Sequence, residues 1–164
     1  MKHRRPVNEE KKLRTDVLIL GAGVGGYETF RTLAKLFKRR GVHKTITIVD
    51  KNNYFTFIPM LHEAAAGSIE PNHCAVPLRE LVAGTPHRFV RAVVSSIDPK
   101  SKTAFTSEGE IHYQYCVIAV GSTVEYFGVP GAAEYTYHVR HLVDSMRLHH
   151  DIVDLIEDPD TRDL

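Results

Sequence analysis

Thr15-Asp16-Val17-Leu18-Ile19-Leu20-Gly21-Ala22-Gly23-Val24-Gly25-Gly26 carries an apolar run straight into a glycine-rich turn, and its reading decides the fold. The continuous apolar stretch from Asp16 to Leu20 is what a strand buried on both faces requires. Beyond the glycines, Val24, Tyr27, Phe30, Leu33, Ala34 and Phe37 recur at helical spacing. Glu28, Arg31, Lys35 and Lys38 fall largely elsewhere on the wheel, so the segment reads as an amphipathic helix. Arg39 and Arg40 suit the negative end of its dipole, and Gly41 suits its C-cap. Thr45 to Val49 is a second, β-branched strand that ends at Asp50. Strand, helix and strand in this order predict a right-handed parallel crossover.

The glycines at 21, 23 and 26 satisfy GxGxxG. Alone that pattern is weak evidence. Here it follows a buried strand, opens a helix, and is answered by an acid at the end of the next strand, which together mark an adenine-dinucleotide fingerprint. Gly21 permits the tight turn, Gly23 lets backbone approach a pyrophosphate, and Gly26 lets the helix lie close on the strand. The first-turn N–H groups, including those of Ala22, Val24 and Gly25, favour the diphosphate charge. Asp50 can accept from the adenosine ribose hydroxyls, and its charge repels a 2′-phosphate, which argues against NADP. No Gly-Lys-Ser/Thr follows, so a P-loop is excluded. The motif alone leaves FAD, NAD and other dinucleotides open.

Working outward, Asn52 to Gly67 is a long connection with Tyr54, Phe55 and Phe57, then a short helix near Pro59; another is expected over Pro77 to Val82. Arg88 to Ile97, Lys102 to Thr106 and Glu110 to Tyr113 read as an antiparallel meander, separated by turn-like Asp98-Pro99-Lys100 and Ser107-Glu108-Gly109. Tyr115 to Val120 reads as a buried strand stopping at Gly121, and Leu142 to Glu157 as a helix. The fold class is therefore α/β, a Rossmann-like parallel sheet with a three-stranded antiparallel meander. The expected divisions are a disordered basic tail over 1–14, a dinucleotide-binding domain over 15–141, and a helix and linker over 142–164.

Composition narrows the function classes. Lys+Arg total 21 against 20 Asp+Glu, so no whole-protein field draws the chain to nucleic acid. Cys74 and Cys116 form no CxxC, which gives no thiolate metal site and fits a reducing cytoplasm. No targeting or membrane-spanning segment is visible. The tail's six Lys/Arg against two Glu read as solvated, with anionic headgroups as the other outlet. The ten histidines read as surface residues; His149 and His150 point about 100° apart on a helix, and His138 and His141 share a face only if helical. Glu63 is expected at an exposed helix position. Tyr54, Phe55 and Phe57 divide between packing and cofactor proximity, and the acids from Asp151 to Asp163 read as a solvated face.

Three stretches, Asp50-Lys51-Asn52-Asn53-Tyr54-Phe55-Thr56-Phe57-Ile58-Pro59-Met60-Leu61, Ala75-Val76-Pro77-Leu78-Arg79-Glu80-Leu81 and Tyr126-Phe127-Gly128-Val129-Pro130-Gly131, resemble the type II NADH:quinone oxidoreductases of the pyridine nucleotide-disulfide oxidoreductase superfamily. The resemblance runs from about Arg14 to the end of the chain. It implies FAD as cofactor, NADH and a quinone as partners, and peripheral membrane contact at the inner face through segments not present. It places Asp50, Lys51 and Asn52 at the adenosine end, Val93 or a neighbour beside the adenine through backbone groups, and Thr56 to Leu61, with Pro59 and Leu61, along the flavin. Ala119, Val120 and Gly121 would pass close to the cofactor, although Val120 stands where the pattern has Thr and Gln114 where it has Asp. Asn52 to Gly67 holds no cysteine, against disulfide reductase chemistry; sulfide:quinone oxidoreductases share the aromatic loop and stay open. No second GxGxxG is present and no acid–base triad is evident. The expectation is an amino-terminal piece of a longer flavoprotein, or a non-catalytic remnant, without an NADH site, with an unpaired sheet edge, weak FAD retention and a tendency to associate.

Overall fold

The computed structural model describes residues 12–158. In chain order the elements are β1 (Leu13–Leu20), α1 (Val24–Arg40), β2 (Ile46–Asp50), β3 (Tyr54–Thr56), α2 (Leu61–Ala65), β4 (Ala75–Pro77), α3 (Leu78–Val82), β5 (Arg88–Arg91), β6 (Val94–Asp98), β7 (Thr103–Thr106), β8 (Gly109–Ile118), α4 (Ala132–Tyr135) and α5 (Leu142–Glu157). They form two units. One holds residues up to 53 together with 78–121, and the other holds 54–77 and 122 onward.

The first unit is built on a six-stranded sheet in the order β5-β2-β1-β8-β7-β6. β1 lies between β2 and β8 and is parallel to both, with Leu18 opposite Thr47 and Cys116. Because helix covers one face and meander the other, β1 is buried on both, as its uninterrupted apolar run demands. Leu18, Ile19 and Leu20 are fully buried, as are Ile46, Ile48 and Val49 of β2. On the helix side Phe30 of α1 meets the His87 ring edge-on, with centroids 5.4 Å apart. On the other side Leu18, Leu20 and Val49 join Ala92, Ala104 and Ile111. α1 ends at Gly41, where the Val42 N–H donates to the Phe37 carbonyl at 2.9 Å.

Four expectations are corrected here. β1 starts at Leu13 rather than after Arg14, because Leu13 and Arg14 pair with Ile111 and His112; residues 1–11 of the expected tail, like 159–164 of the expected linker, lie outside the described residues. The single strand over Arg88 to Ile97 is two, since β5 runs parallel to β2 while β6 is antiparallel to β7. Conversely, the last meander strand and the strand after it are one continuous element, β8, with no break at Gln114. Nor is its second half buried: Tyr115 and Ile118 are 63% and 65% exposed. β7 pairs with β8 only from Gly109 to His112, so beyond that point one edge of β8 has no strand beside it among the described residues. The expected unpaired edge is present there, and the Lys102 ammonium reaches the Gln114 carbonyl along it at 3.2 Å.

The second unit has short elements. A 3-10 turn over Ile58–Met60 runs into α2, and β3 pairs antiparallel with β4. Leu61, Ala64 and Cys74 form its buried cluster, flanked by Met60, Ile69, Val139 and Leu142. His149 of α5 lies 3.1 Å from the Ala65 carbonyl through Nδ1, and a side chain at Gly67 would meet its ring at 2.6 Å. His149 is thus a packing residue, and His87 is buried; neither is the surface histidine expected. No helix among the described residues is long and apolar enough to cross a membrane.

Candidate functional site

The site in the first unit begins where β1 stops. Gly21 has φ +93°, a left-handed conformation that glycine adopts without strain. It is also hemmed in by backbone: a Cβ there would sit 2.7 Å from the Ala119 carbonyl carbon and 2.9 Å from Cα of Val120. Gly26 is confined from the other side, since a Cβ would lie 2.9 Å from the carbonyl carbon of Gly21 and 3.4 Å from Cγ2 of Ile19. These two glycines let the turn fold against the strand ends.

Gly23 differs. A side chain built there meets no protein atom within 4 Å. Gly23 is the N-cap of α1 and supplies no side-chain cap; its carbonyl accepts from Tyr27 N–H at 2.8 Å. Tyr27 is the first N–H answered within the helix, so those of Gly23, Val24, Gly25 and Gly26 are the four that a helix start leaves unsatisfied. No acceptor among the described residues answers them. Open space over unpaired, positively polarised donors at the start of a 17-residue helix fits a diphosphate.

Asp50 plays a part that spacing does not reveal. Its Oδ2 accepts the Ala22 N–H at 2.7 Å and its Oδ1 the Asn52 N–H at 2.8 Å. The carboxylate therefore ties the end of β2 to the glycine turn, and each oxygen keeps acceptor capacity for a further donor. Ala22 is buried and its N–H is engaged by Asp50, so it is not a free donor of the cradle. Lys51 is exposed, and its carbonyl accepts from Arg91 Nε at 3.2 Å. Val93 is 59% exposed, yet its N–H donates to Ser107 Oγ at 3.1 Å and its carbonyl accepts the Ser107 N–H at 2.9 Å. Only the carbonyl's second lone pair is left. Ala119 donates to Leu20 at 2.8 Å, Val120 is exposed, and Gly121 has φ +77°.

The structure thus brings Gly21 to Gly26, Asp50, Lys51, Asn52, Ala119, Val120 and Gly121 to the carboxyl ends of β1, β2 and β8, with Val93 just past β5. Pro59 and Leu61 belong to the second unit. Pro59 is exposed, whereas Leu61 is fully buried against Ala64 and Cys74, so its side chain is a core residue rather than a cofactor contact. Phe55 is likewise buried, and Phe57 is 43% exposed. Glu63 keeps 45% of its side chain exposed.

Neither cysteine is poised for redox work. Burial, with the Glu63 carboxylate adding to it, holds the Cys74 thiol above its ordinary range, and burial does the same to Cys116. Raised pKa values keep both as thiols, the unreactive form. His138 and His141 precede α5 and are not helical; His138 sits 3.5 Å from Asp144, which caps that helix. Among the described residues no group of His, Cys, Asp and Glu could hold a metal.

The model of the pyridine nucleotide-disulphide oxidoreductases matches residues 15–156. The chain belongs to that family. Among curated relatives, type II NADH:quinone oxidoreductases of Staphylococcus haemolyticus and Staphylococcus epidermidis are 30% and 33% identical to it over 141 residues, 86% of this chain. The chain spans about a third of those relatives, 35% of each. Of solved structures, the sulfide:quinone oxidoreductase from Aquifex aeolicus matches with TM-score 0.78 and 29% identity, covering 88% of this chain and 33% of that one. NDH2 from Plasmodium falciparum, solved in complex with NADH, matches with TM-score 0.76 over 92% of this chain and 31% of that one; at 23% identity this bears on fold alone. The family's oxidoreductase and flavoprotein character and its α/β fold therefore stand.

Proposed function

We propose that this chain is the FAD-holding portion of an NADH:quinone oxidoreductase-like flavoprotein. The observation that carries the reading is the open side of the glycine turn, where a helix start whose N–H donors have no acceptor among the described residues adjoins clear space at Gly23. In this reading those donors hold the diphosphate, and Asp50 accepts from the ribose with the lone pairs that Ala22 and Asn52 leave unused. Lys51 and Asn52 flank the same strand end. The Val93 carbonyl faces the adenine, and Ala119 to Gly121 line the approach to the flavin. Val120 offers no hydroxyl, so no side-chain hydrogen bond is made there.

When bound, FAD supplies a two-electron relay between a nicotinamide donor and a quinone. This chain's own residues contribute binding and orientation. The 164 residues carry a single GxGxxG, so NADH oxidation is not expected of these residues by themselves. Titration with FAD, followed by quenching of flavin fluorescence, tests the reading: one FAD per chain with weak retention on gel filtration is expected, and NAD should bind at least tenfold more weakly. Equal affinity for NAD would overturn the choice of FAD. Appreciable NADH oxidation with added FAD and a soluble quinone would overturn the view that the NADH site lies elsewhere.

The Aquifex aeolicus likeness favours one second reading, the equivalent portion of a sulfide:quinone oxidoreductase. Full-length protein reduced by sulfide rather than by NADH would select it.

A further inference from the structure

A second concave feature lies away from the glycine turn, at the edge of the sheet that β5 forms. Its volume is about 700 Å³, within the range of roughly 300–1,000 Å³ that small-molecule sites occupy. Leu13, Val90 and Ile111 line it with apolar surface continuous with the core beneath the meander. Arg79 of α3, Arg88 and Arg91 of β5, and Glu108 of the β7–β8 turn supply its charge. Among the described residues no carboxylate lies within ion-pair distance of any of these arginines, Glu108 included, and only Arg91 has a hydrogen bond, to the Lys51 carbonyl. Arg79 and Arg88 against Glu108 leave a net positive charge over an apolar floor, while Arg91 turns its Nε to the Lys51 carbonyl.

That combination is unusual for a surface that only needs solvation. Here the side chains of Arg79 and Arg88 have no hydrogen bond or ion pair among the described residues, and a guanidinium is the planar fork that can meet phosphate oxygens bidentately. A phosphate monoester carries close to two negative charges at neutral pH, which the guanidiniums of Arg79 and Arg88 can answer. We infer that the cleft lined by Arg79, Arg88 and Arg91 binds a small organic phosphate whose apolar body rests on Leu13, Val90 and Ile111. Arg79 and Arg88 belong to no element of the glycine turn, whereas Arg91 is the register partner of Asp50 and bonds the Lys51 carbonyl, so Arg79 and Arg88 are the positions that separate this site from FAD binding.

Phenyl phosphate is the minimal probe, with inorganic phosphate as the charge alone and benzyl alcohol as the body alone. Calorimetric titration of the 164-residue chain should find phenyl phosphate at least tenfold tighter than inorganic phosphate, with no measurable heat for benzyl alcohol. Arg79→Gln and Arg88→Gln should each weaken phenyl phosphate about tenfold, Arg88→Lys less, and Glu108→Gln should tighten it. All three positions are exposed, and unchanged far-UV circular dichroism confirms folding. Saturating FAD should leave the affinity unchanged, and a chain that fails to bind FAD should still bind the probe. Equal affinity in both glutamine variants, or displacement of phenyl phosphate by FAD, would overturn the proposal; the latter would put the anion at the glycine turn. Inorganic phosphate binding as tightly as phenyl phosphate would remove the apolar floor from the site.

Discussion

The two sides of one glycine turn behave as opposites. On the strand side, Gly21 and Gly26 are glycines because backbone fills the space a side chain would need. On the solvent side, Gly23 is a glycine with nothing of the protein near it. Packing explains the first pair and not the second; the proposed diphosphate would account for the clear space at Gly23. Identical residues three apart in sequence are thus held by different causes, and substitution can separate them.

The largest effect is expected on the packed side. Gly26→Ala drives a methyl into the Gly21 carbonyl, and stability should fall by more than about 3 kcal/mol in denaturant melts. A loss under about 1 kcal/mol would break the contrast. On the open side, Gly23→Val should cost no more than about 1 kcal/mol in the melt, the penalty of a poor N-cap, while FAD affinity drops at least tenfold, about 1.4 kcal/mol. If affinity survives, the space at Gly23 is not where the diphosphate lies. Asp50→Asn comes next, because the NH2 that replaces one carboxylate oxygen is a donor and cannot accept the N–H of Ala22 or of Asn52. A cost of about 1–2 kcal/mol is expected, with weaker FAD binding as well; a change in only one of the two would show that the carboxylate serves a single side of the turn.

The smallest effect concerns pH and lies entirely on the packed side. His87 is 8% exposed and its Nδ1 accepts the Ile46 N–H at 3.2 Å, so the ring is needed neutral. Burial lowers its pKa below the ordinary 6.5. The unfolded chain therefore binds the proton more readily, and this contribution is fully present above about pH 6.5 and is lost as pH falls toward the depressed folded value. Thermal melts at pH 7.5 and pH 5 should show the decline, and His87→Gln should flatten the part of it that His87 causes. FAD affinity should not follow the same curve.

How much was legible followed from distance along the chain. β1, α1 and β2 occupy 38 residues, from Leu13 to Asp50, and their periodicities, cap and glycines are local signals. The break between β5 and β6 is not local. Ala92 donates to the Asp50 carbonyl and Val93 is held by Ser107, partners that an alternating run such as Arg88 to Ile97 gives no hint of. The bond from Asp50 to Ala22 spans 28 residues and was invisible for the same reason. β8 misled in the opposite direction: an apolar run announces a capacity for burial, while the neighbours decide whether it is used. Its residues from Tyr113 onward have a strand on one side only. In the second unit, the aromatic loop's position was legible but the burial of Leu61 was not, because that depends on Cys74 and Leu142.

The place of β1 in the sheet also sets a schedule. Its partner on one side, β2, ends 30 residues later, but the other, β8, is complete only at Ile118. On a ribosome adding roughly 5–20 residues per second, β1, with its buried Leu18, Ile19 and Leu20, waits some 5–20 s with one edge open. The helix on its near face can shield it during that interval; its other edge cannot close. A nascent chain halted before residue 118 would display that edge to chaperones, while one released past it would not.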